Sequence, residues 1–316
     1  LQTNELFGSI RQFSIVVKDV QETVRLLADS FGIGPWDGYH VDKDMVRNMT
    51  YRHKRMDYAA DVCVSYIGKI EIELVQPLDE HNIYMEFLKE HGQGLHHVCY
   101  DVEDFDKTDE VLMKLGCERV LEGTMAGGTF FAYYDCRRTM GCYLELRKEV
   151  EENNDLPKMF PCPQPSETAP VFSNTRQISL TVRDVKETAR KYEKLLGIMP
   201  WQMIHYDSSN VSLMKYCGRR LDYAMDIGVC VYGDAEIELV ESAGGENIYA
   251  DFLKEHGEGL HHICFDTEDF DRADRAMAAC GFPKVQEGII ENETYYAYYD
   301  CRKKLGFYIE LYTSAQ

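Results

Sequence analysis

The sequence predicts an α+β protein made of four β-α-β-β-β modules arranged as two tandem halves. One observation is an internal repeat: "FLKEHGQGLHHVCYDVEDFD" at residues 87–106 returns as "FLKEHGEGLHHICFDTEDFD" at 252–271, with sixteen of twenty positions identical. Further landmarks, GPW at Trp36 and MPW at Trp201, HNIY at Tyr84 and ENIY at Tyr249, YYDC at Cys136 and Cys301, keep one offset of 165 residues. A repeat fixes the architecture before any single element is read. The other observation is that, inside each half, a strand-helix-strand pattern occurs twice.

Taken in order through the first half, "RQFSIVVKD" alternates like a strand, and "VQETVRLLADSFG" carries apolar residues at helical spacing and stops at a glycine. "WDGYHVD", "ADVCVSYIG" and "KIEIELVQ" read as the next three strands. After a helical stretch around "YMEFLKEHG", the order begins again: "GLHHVCYDV" is a strand and "EDFDKTDEVLMKLG" a helix, and "CERVLEG", "FFAYYDC" and "CYLELRKEV" are strands. Between the halves, "EVEENNDLPKMFPCPQPSETAPVF" replaces periodicity with prolines, acids and small polar residues, as a linker does. The expected boundaries are 1–149, a linker at 150–172, and 173–316.

With 316 residues, each half can bury its own core. The chain is 45% hydrophobic and 28% charged, and no apolar run approaches the roughly 18 residues of a membrane span. Its first residues lack the basic start and apolar stretch of a secretory signal, so a cytoplasmic protein with no membrane partner is expected. Eleven cysteines, an odd number with no C-x-x-C pair, point to reduced, buried thiols. A formal charge of -20 argues against a nucleic-acid partner, because phosphate binding needs clustered Lys and Arg.

Strand alternation sorts side chains onto two faces. Gln12 opposes Phe13, Glu73 opposes Ile72 and Leu74, His97 opposes His96 and Val98, and Glu145 opposes Leu144 and Leu146. The same offset gives Gln177, Glu238, His262 and Glu310 in the second half. One reading is a solvated outer sheet face, where such alternation is the rule. The other is a shared set of metal-capable residues, retained in both copies.

The "LHH" segment, the opening "SIVVKDVQETVRLLADSFGIG" and the closing "GFYIEL" resemble methylmalonyl-CoA epimerase and the wider vicinal-oxygen-chelate, or glyoxalase-like, superfamily. The resemblance spans both halves and excludes the linker. It implies paired β-α-β-β-β modules whose curved sheets enclose a divalent metal. The implied ligands are Gln12, Glu73, His97 and Glu145, and Gln177, Glu238, His262 and Glu310, with Glu145 and Glu310 also catalytic. The first-strand position, usually His in the epimerases, is Gln here. An oxygen-rich set favours Mn²⁺, Mg²⁺ or Fe²⁺ over a soft-ligand site, with Co²⁺ and Zn²⁺ also possible metals.

The chemistry implied is proton transfer beside a carbonyl through a metal-stabilised enolate, as in an epimerase, racemase or isomerase. Such a reaction needs an acid and a base on opposite faces of the carbon. The third-strand glutamate of the epimerases has no counterpart here, leaving Asp61 and Asp226 as candidates for the second group. The substrate is a small acyl-CoA or aromatic carbonyl compound. The paired tyrosines 133, 134, 298 and 299 would send one phenol of each pair toward the cavity. Arg55, Arg220, Lys54 and Arg219 read most simply as solvated charges, or otherwise as the receivers of a substrate carboxylate or phosphate, and a monomer or homodimer is expected. Rival readings are a lyase or ring-cleaving dioxygenase of the same fold, or a metal-free small-molecule-binding protein like the bleomycin-resistance members. Fold alone does not choose among them.

Overall fold

The computed structural model describes residues 7–102, 104–150, 159–166, 169–291 and 293–314. The first half runs β1 (Ile10–Val16), α1 (Val20–Phe31), β2 (Asp37–Val41), β3 (Val46–Tyr51), β4 (Lys54–Arg55), β5 (Ala60–Ile67), β6 (Ile70–Pro77), α2 (Ile83–His91), β7 (Gly94–Tyr100), α3 (Phe105–Lys114), β8 (Glu118–Met125), β9 (Thr129–Asp135), α4 (Arg137–Met140) and β10 (Tyr143–Glu149). After β11 (Met159–Phe160) the second half follows: β12 (Asn174–Thr181), α5 (Val185–Leu196), β13 (Gln202–Tyr206), β14 (Val211–Tyr216), β15 (Arg219–Arg220), β16 (Ala224–Tyr232), β17 (Ala235–Gly244), α6 (Ile248–Glu255), β18 (Gly259–Asp266), α7 (Phe270–Ala279), β19 (Lys284–Ile290), β20 (Thr294–Asp300) and β21 (Tyr308–Ser314).

Each half folds its strands into one sheet. The order is β11-β2-β5-β6-β1-β7-β10-β9-β8-β3-β4 in the first and β13-β16-β17-β12-β18-β21-β20-β19-β14-β15 in the second. In both, two four-stranded modules join along their first strands: β1 pairs antiparallel with β7, and β12 with β18. The α+β class and the two tandem glyoxalase-like units are those the sequence predicts. The β3–β4 hairpin and its copy β14–β15 are additions that local periodicity leaves hidden. Each comes from the first module yet pairs with the second, β3 with β8 and β14 with β19, so its partner lies far along the chain.

Local signals explain the helices. In α1 the Asp19 carboxylate accepts from Glu22 N at 2.8 Å, Val20, Val24, Leu27 and Phe31 form the buried face, and Gly32 ends the helix at φ 67°. Asp184 and Gly197 bound α5 in the same way. Helices α1, α3, α5 and α7 pack in one continuous core shared by the halves, where Phe172 stacks on Phe31 at 5.1 Å and on Phe265 at 4.7 Å. Gly306 lies where the two halves come together closely. It sits at φ 89°, and a Cβ there would lie 1.9 Å from the Gln93 carbonyl oxygen. Each sheet keeps a smaller core of its own on its concave side.

Of the predicted linker, residues 151–158, 167 and 168 lie outside the described residues, as do residues 1–6 at the start. Residues 159–166 of it are tied to the first half, and residues 169–172 meet the second, with Thr267 Oγ1 donating to the Val171 carbonyl at 3.0 Å. Met159 and Phe160 pair with β2, and Gln164 exchanges hydrogen bonds with the Trp36 backbone at 2.8 and 2.9 Å. The cysteines are free thiols, nine of them buried. Among the described residues no helix is long and apolar enough to cross a membrane.

Candidate functional site

In the second half the site lies where β17, β12, β18 and β21 run side by side. Register places Ser179 between Glu238 and His262, and in the next row Gln177 between Glu236 and Cys264, with Glu310 beyond. His262 Nε2 is 3.2 Å from Glu238 Oε2 and 3.3 Å from Glu310 Oε2. Ser179 Oγ donates to Glu238 Oε2 at 2.8 Å and so orients that carboxylate. Candidate ligand atoms of Glu238, His262 and Glu310 all fall within 4.8 Å of one another.

Three polar atoms of this cluster lack a hydrogen bond. Gln177 Oε1, His262 Nε2 and Glu310 Oε2 are buried without a hydrogen-bond partner, an arrangement that costs energy unless something else engages them. Burial alone would drive the His262 imidazole neutral, yet the Glu238 and Glu310 carboxylates hold it up to about 9. Burial pushes the Glu310 carboxyl above its ordinary range, against the pull of His262. Two carboxylates short of positive charge, one imidazole and one amide oxygen fit a divalent ion that prefers oxygen.

Strict alternation would turn His261 to the opposite face from His262, and the structure corrects this. Ser179 pairs with His262 but the next residue, Leu180, pairs with Leu260, so His261 is the extra residue of a β-bulge. The bulge brings His261 Nδ1 to 2.8 Å from His262 Nδ1. His261 also stacks on Tyr308 with ring centroids 4.7 Å apart. His96 and His97 repeat the arrangement at 3.0 Å, with the same register shift.

In the first half the same residue types meet with a different outcome. His97 Nε2 lies 3.4 Å from both Glu73 Oε2 and Glu145 Oε2. Arg147, however, donates from Nε to Glu145 Oε1 at 2.8 Å and from Nη2 to Gln12 Oε1 at 2.6 Å. Burial would raise the Glu145 carboxyl, but Arg147 and His97 outweigh it and bring it down to about 2. Above these residues opens a cavity of ≈ 290 Å³ lined by Tyr39, Tyr58, Met45 and Phe131.

Asp61 and Asp226 do not join either site. The cavity is lined by their strand neighbours Ala60 and Val62, while Asp61 accepts from or shares a proton with His40 Nδ1 at 2.7 Å on the other face. Asp226 pairs with His205 Nδ1 at 2.6 Å. The tyrosine pairs divide as alternation requires: Tyr133 and Tyr298 stand edge-on to His97 and His262, and Tyr134 and Tyr299 donate outward to Asp109 and Asp274 at 2.6 Å. Arg55 and Arg219 lie at the surface, paired with Asp57 and Glu246.

Sequence reasoning passed over two residues. Glu236 stands two positions before Glu238, hence on the same face, beside Gln177; burial raises its carboxyl against the pull of Arg176. The alternation of "EIEL" already carried that signal. Arg147 ends the run "YLELR", and only the mismatch with Tyr312 at the 165-residue offset could have flagged it.

Comparison with known proteins agrees with this picture. The sequence matches the Glyoxalase/Bleomycin resistance protein/Dioxygenase superfamily over residues 11–133 and again over 176–299. No curated protein sequence matches. Among solved structures, a mutant of 4-hydroxymandelate synthase from Streptomyces coelicolor is 13% identical with a TM-score of 0.64, covering 98% of this chain and 94% of that one. A xylose isomerase-like TIM barrel/4-hydroxyphenylpyruvate dioxygenase fusion protein is 13% identical with a TM-score of 0.48, covering 98% and 49%. Methylmalonyl-CoA epimerase from Mycobacterium tuberculosis is 17% identical with a TM-score of 0.35, covering 48% and 94%. At such identity the likeness to the synthase is one of fold. With both halves matched by the family, the chain belongs to the glyoxalase/bleomycin resistance protein/dioxygenase superfamily.

Proposed function

We propose that the second half holds one divalent metal ion between Gln177, Glu238, His262 and Glu310, and that the chain isomerises or epimerises a small carbonyl compound by proton transfer beside the carbonyl. The observation that carries this reading is the convergence of Glu238, His262 and Glu310, whose candidate ligand atoms lie within 4.8 Å of one another, with Gln177 Oε1, His262 Nε2 and Glu310 Oε2 buried and without a hydrogen bond. When bound, the metal would supply a Lewis-acid hold on two neighbouring substrate oxygens, which acidifies the adjacent carbon-bound proton.

The donor set favours this reading over an oxygenase. Fe²⁺ oxygenases use two histidines and one carboxylate, leaving open positions for substrate and oxygen. Here one histidine, two carboxylates and an amide offer four donors. An ion with about six positions then keeps only a pair, enough for two substrate oxygens.

The chain's own residues would do the rest. Glu236 faces the cup beside the ligands and is the base that takes the proton. Tyr298 reaches Glu310 and receives a hydrogen bond from Tyr249 at 2.7 Å, which holds its phenol in place. Burial raises both phenols well above their ordinary range, so they stay protonated and donate hydrogen bonds. Tyr206, Tyr223, Tyr296, Tyr308 and Tyr312 surround the ligands and supply an aromatic, water-poor wall. Such a wall suits an aromatic carbonyl compound better than an acyl-CoA, whose phosphates seek basic side chains.

The test uses full-length chain loaded with Mn²⁺ and incubated in deuterated water with enolisable aromatic carbonyl compounds. Deuterium entering the carbon beside the carbonyl supports the reading, with loss of exchange in Glu236→Gln. Oxygen consumption with Fe²⁺ and no exchange would replace it with a dioxygenase. A chain that takes up no metal would point to a metal-free binding protein.

A further inference from the structure

At the 165-residue offset the two sites share Gln12 with Gln177, Ser14 with Ser179, Glu71 with Glu236, Glu73 with Glu238, His97 with His262 and Glu145 with Glu310. One neighbouring position breaks the pattern. Two residues beyond the last glutamate, on the same strand face, stands Arg147 in the first half and Tyr312 in the second.

Arg147 engages the groups that a metal would need. Its Nε donates to Glu145 Oε1 at 2.8 Å, and its Nη2 donates to Glu145 Oε2 at 3.1 Å and to Gln12 Oε1 at 2.6 Å. Nη2 and Nη1 also lie 3.9 Å from Glu73 Oε1 and Glu71 Oε1. A guanidinium keeps its charge in proteins, and its planar fork matches a carboxylate bidentately. It therefore holds both Glu145 oxygens and the amide oxygen of Gln12 at once. His97 Nε2 and Glu73 Oε2 remain without a hydrogen bond, but they face each other at 3.4 Å.

The second half lacks this cation. Tyr312 instead stacks with Tyr296, centroids 6.5 Å apart, and takes Arg176 over its ring at 5.3 Å. Gln177 Oε1 and Glu310 Oε2, whose counterparts in the first half both accept from Arg147, have no hydrogen bond, although Glu310 Oε2 faces His262 Nε2 at 3.3 Å. The candidate ligands themselves are of the same types in both clusters, although the surrounding wall differs, with Val41, Tyr66 and Phe131 replaced by Tyr206, Val231 and Tyr296 at the same offset. The difference in hydrogen bonding at Gln12 and Glu145, against Gln177 and Glu310, traces to this one position.

We infer that Arg147 is a built-in cation standing where the first half would otherwise bind metal, so that the residue at 147 or 312 decides which half is a metal site. A divalent ion entering the first half would meet a fixed positive charge and would have to displace it from three hydrogen bonds. The first half is then a metal-free cup, and duplication has left one metal centre per chain. This inference rests on the reading of the second half as a metal site, and the test below separates the two.

The experiment measures Mn²⁺ bound per full-length chain, by titration calorimetry and elemental analysis after chelator stripping. The proteins are wild type, His97→Ala, Arg147→Tyr, Arg147→Tyr with His97→Ala, and Tyr312→Arg. Wild type is expected to bind one equivalent. Arg147→Tyr gains a second, which the added His97→Ala removes. Tyr312→Arg loses the original one, with affinity at least about 100-fold weaker, as expected when an outer residue takes over its ligands. Wild type binding two equivalents, one of them lost with His97→Ala, would overturn the inference, and so would Arg147→Tyr binding no more than wild type. Should Arg147→Tyr fail to fold, Tyr312→Arg decides: undiminished Mn²⁺ binding overturns the inference. Wild type binding no metal would defeat the proposed function alone, because a gain in Arg147→Tyr would still support the switch and no gain would still refute it.

Discussion

His261 Nδ1 lies 2.8 Å from His262 Nδ1, so the imidazole facing the two carboxylates is tethered to the imidazole before it. Only one of these nitrogens can carry the shared proton. If His262 offers Nε2 to a cation, its Nδ1 must donate and His261 Nδ1 must accept. A residue that alternation alone assigns to the other face thereby fixes the tautomer of the imidazole that faces the two carboxylates.

The first prediction concerns that tether. His261→Phe keeps the stack on Tyr308 but removes the acceptor, and it should weaken Mn²⁺ binding about 10–100-fold while leaving the fold intact. His261→Gln restores an acceptor oxygen and should recover most of the affinity. Calorimetric titration of the three proteins measures both effects, and equal affinity of all three would remove the positioning role.

Glu236 and Asp226 should separate base from bystander. Glu236→Gln is expected to lower kcat by about 10²–10⁴-fold with metal content unchanged. Asp226→Asn and Asp61→Asn should alter kcat less than about two-fold, because both carboxylates engage histidines on the outer faces of their strands. Steady-state rates and metal analysis on the same preparations check the contrast.

Arg147 also sets a pH dependence of stability. The Glu145 carboxyl is held down to about 2 from an ordinary 4.5, so its ionised form stabilises the fold fully above 4.5, and that contribution fades as pH falls toward 2. Without the guanidinium, burial pushes the carboxyl the other way. Arg147→Gln should therefore be destabilised most near pH 7, with the gap in Tm from wild type closing as pH falls below about 4. A gap that stays constant or widens in acid would contradict this assignment.

The shared core makes the halves one folding unit. Phe172 is 3% exposed and stacks on Phe31 of the first half and Phe265 of the second. Phe172→Ala should cost about 3–5 kcal/mol and lower a single cooperative transition in scanning calorimetry. Two separate transitions in wild type would show that the halves unfold independently.

The duplication, the four modules and the shared strand face of Glu238, His262 and Glu310 were legible in the letters. Period-two alternation sorts side chains by face whatever the partner strand is, and a constant offset of 165 residues carries every assignment from one half to the other. Three things needed the folded chain. The β3–β4 and β14–β15 hairpins appear only with β8 and β19, which belong to another module. The bulges at His96 and His261 break alternation where one extra residue must be absorbed between β1 and β7, or β12 and β18. The fate of each cup turns on a guanidinium or a phenol at a strand position whose neighbours are fixed by pairing across the sheet. Local pattern determines which face a side chain takes; which charges it meets there is a property of long-range register, and only tertiary structure decided it.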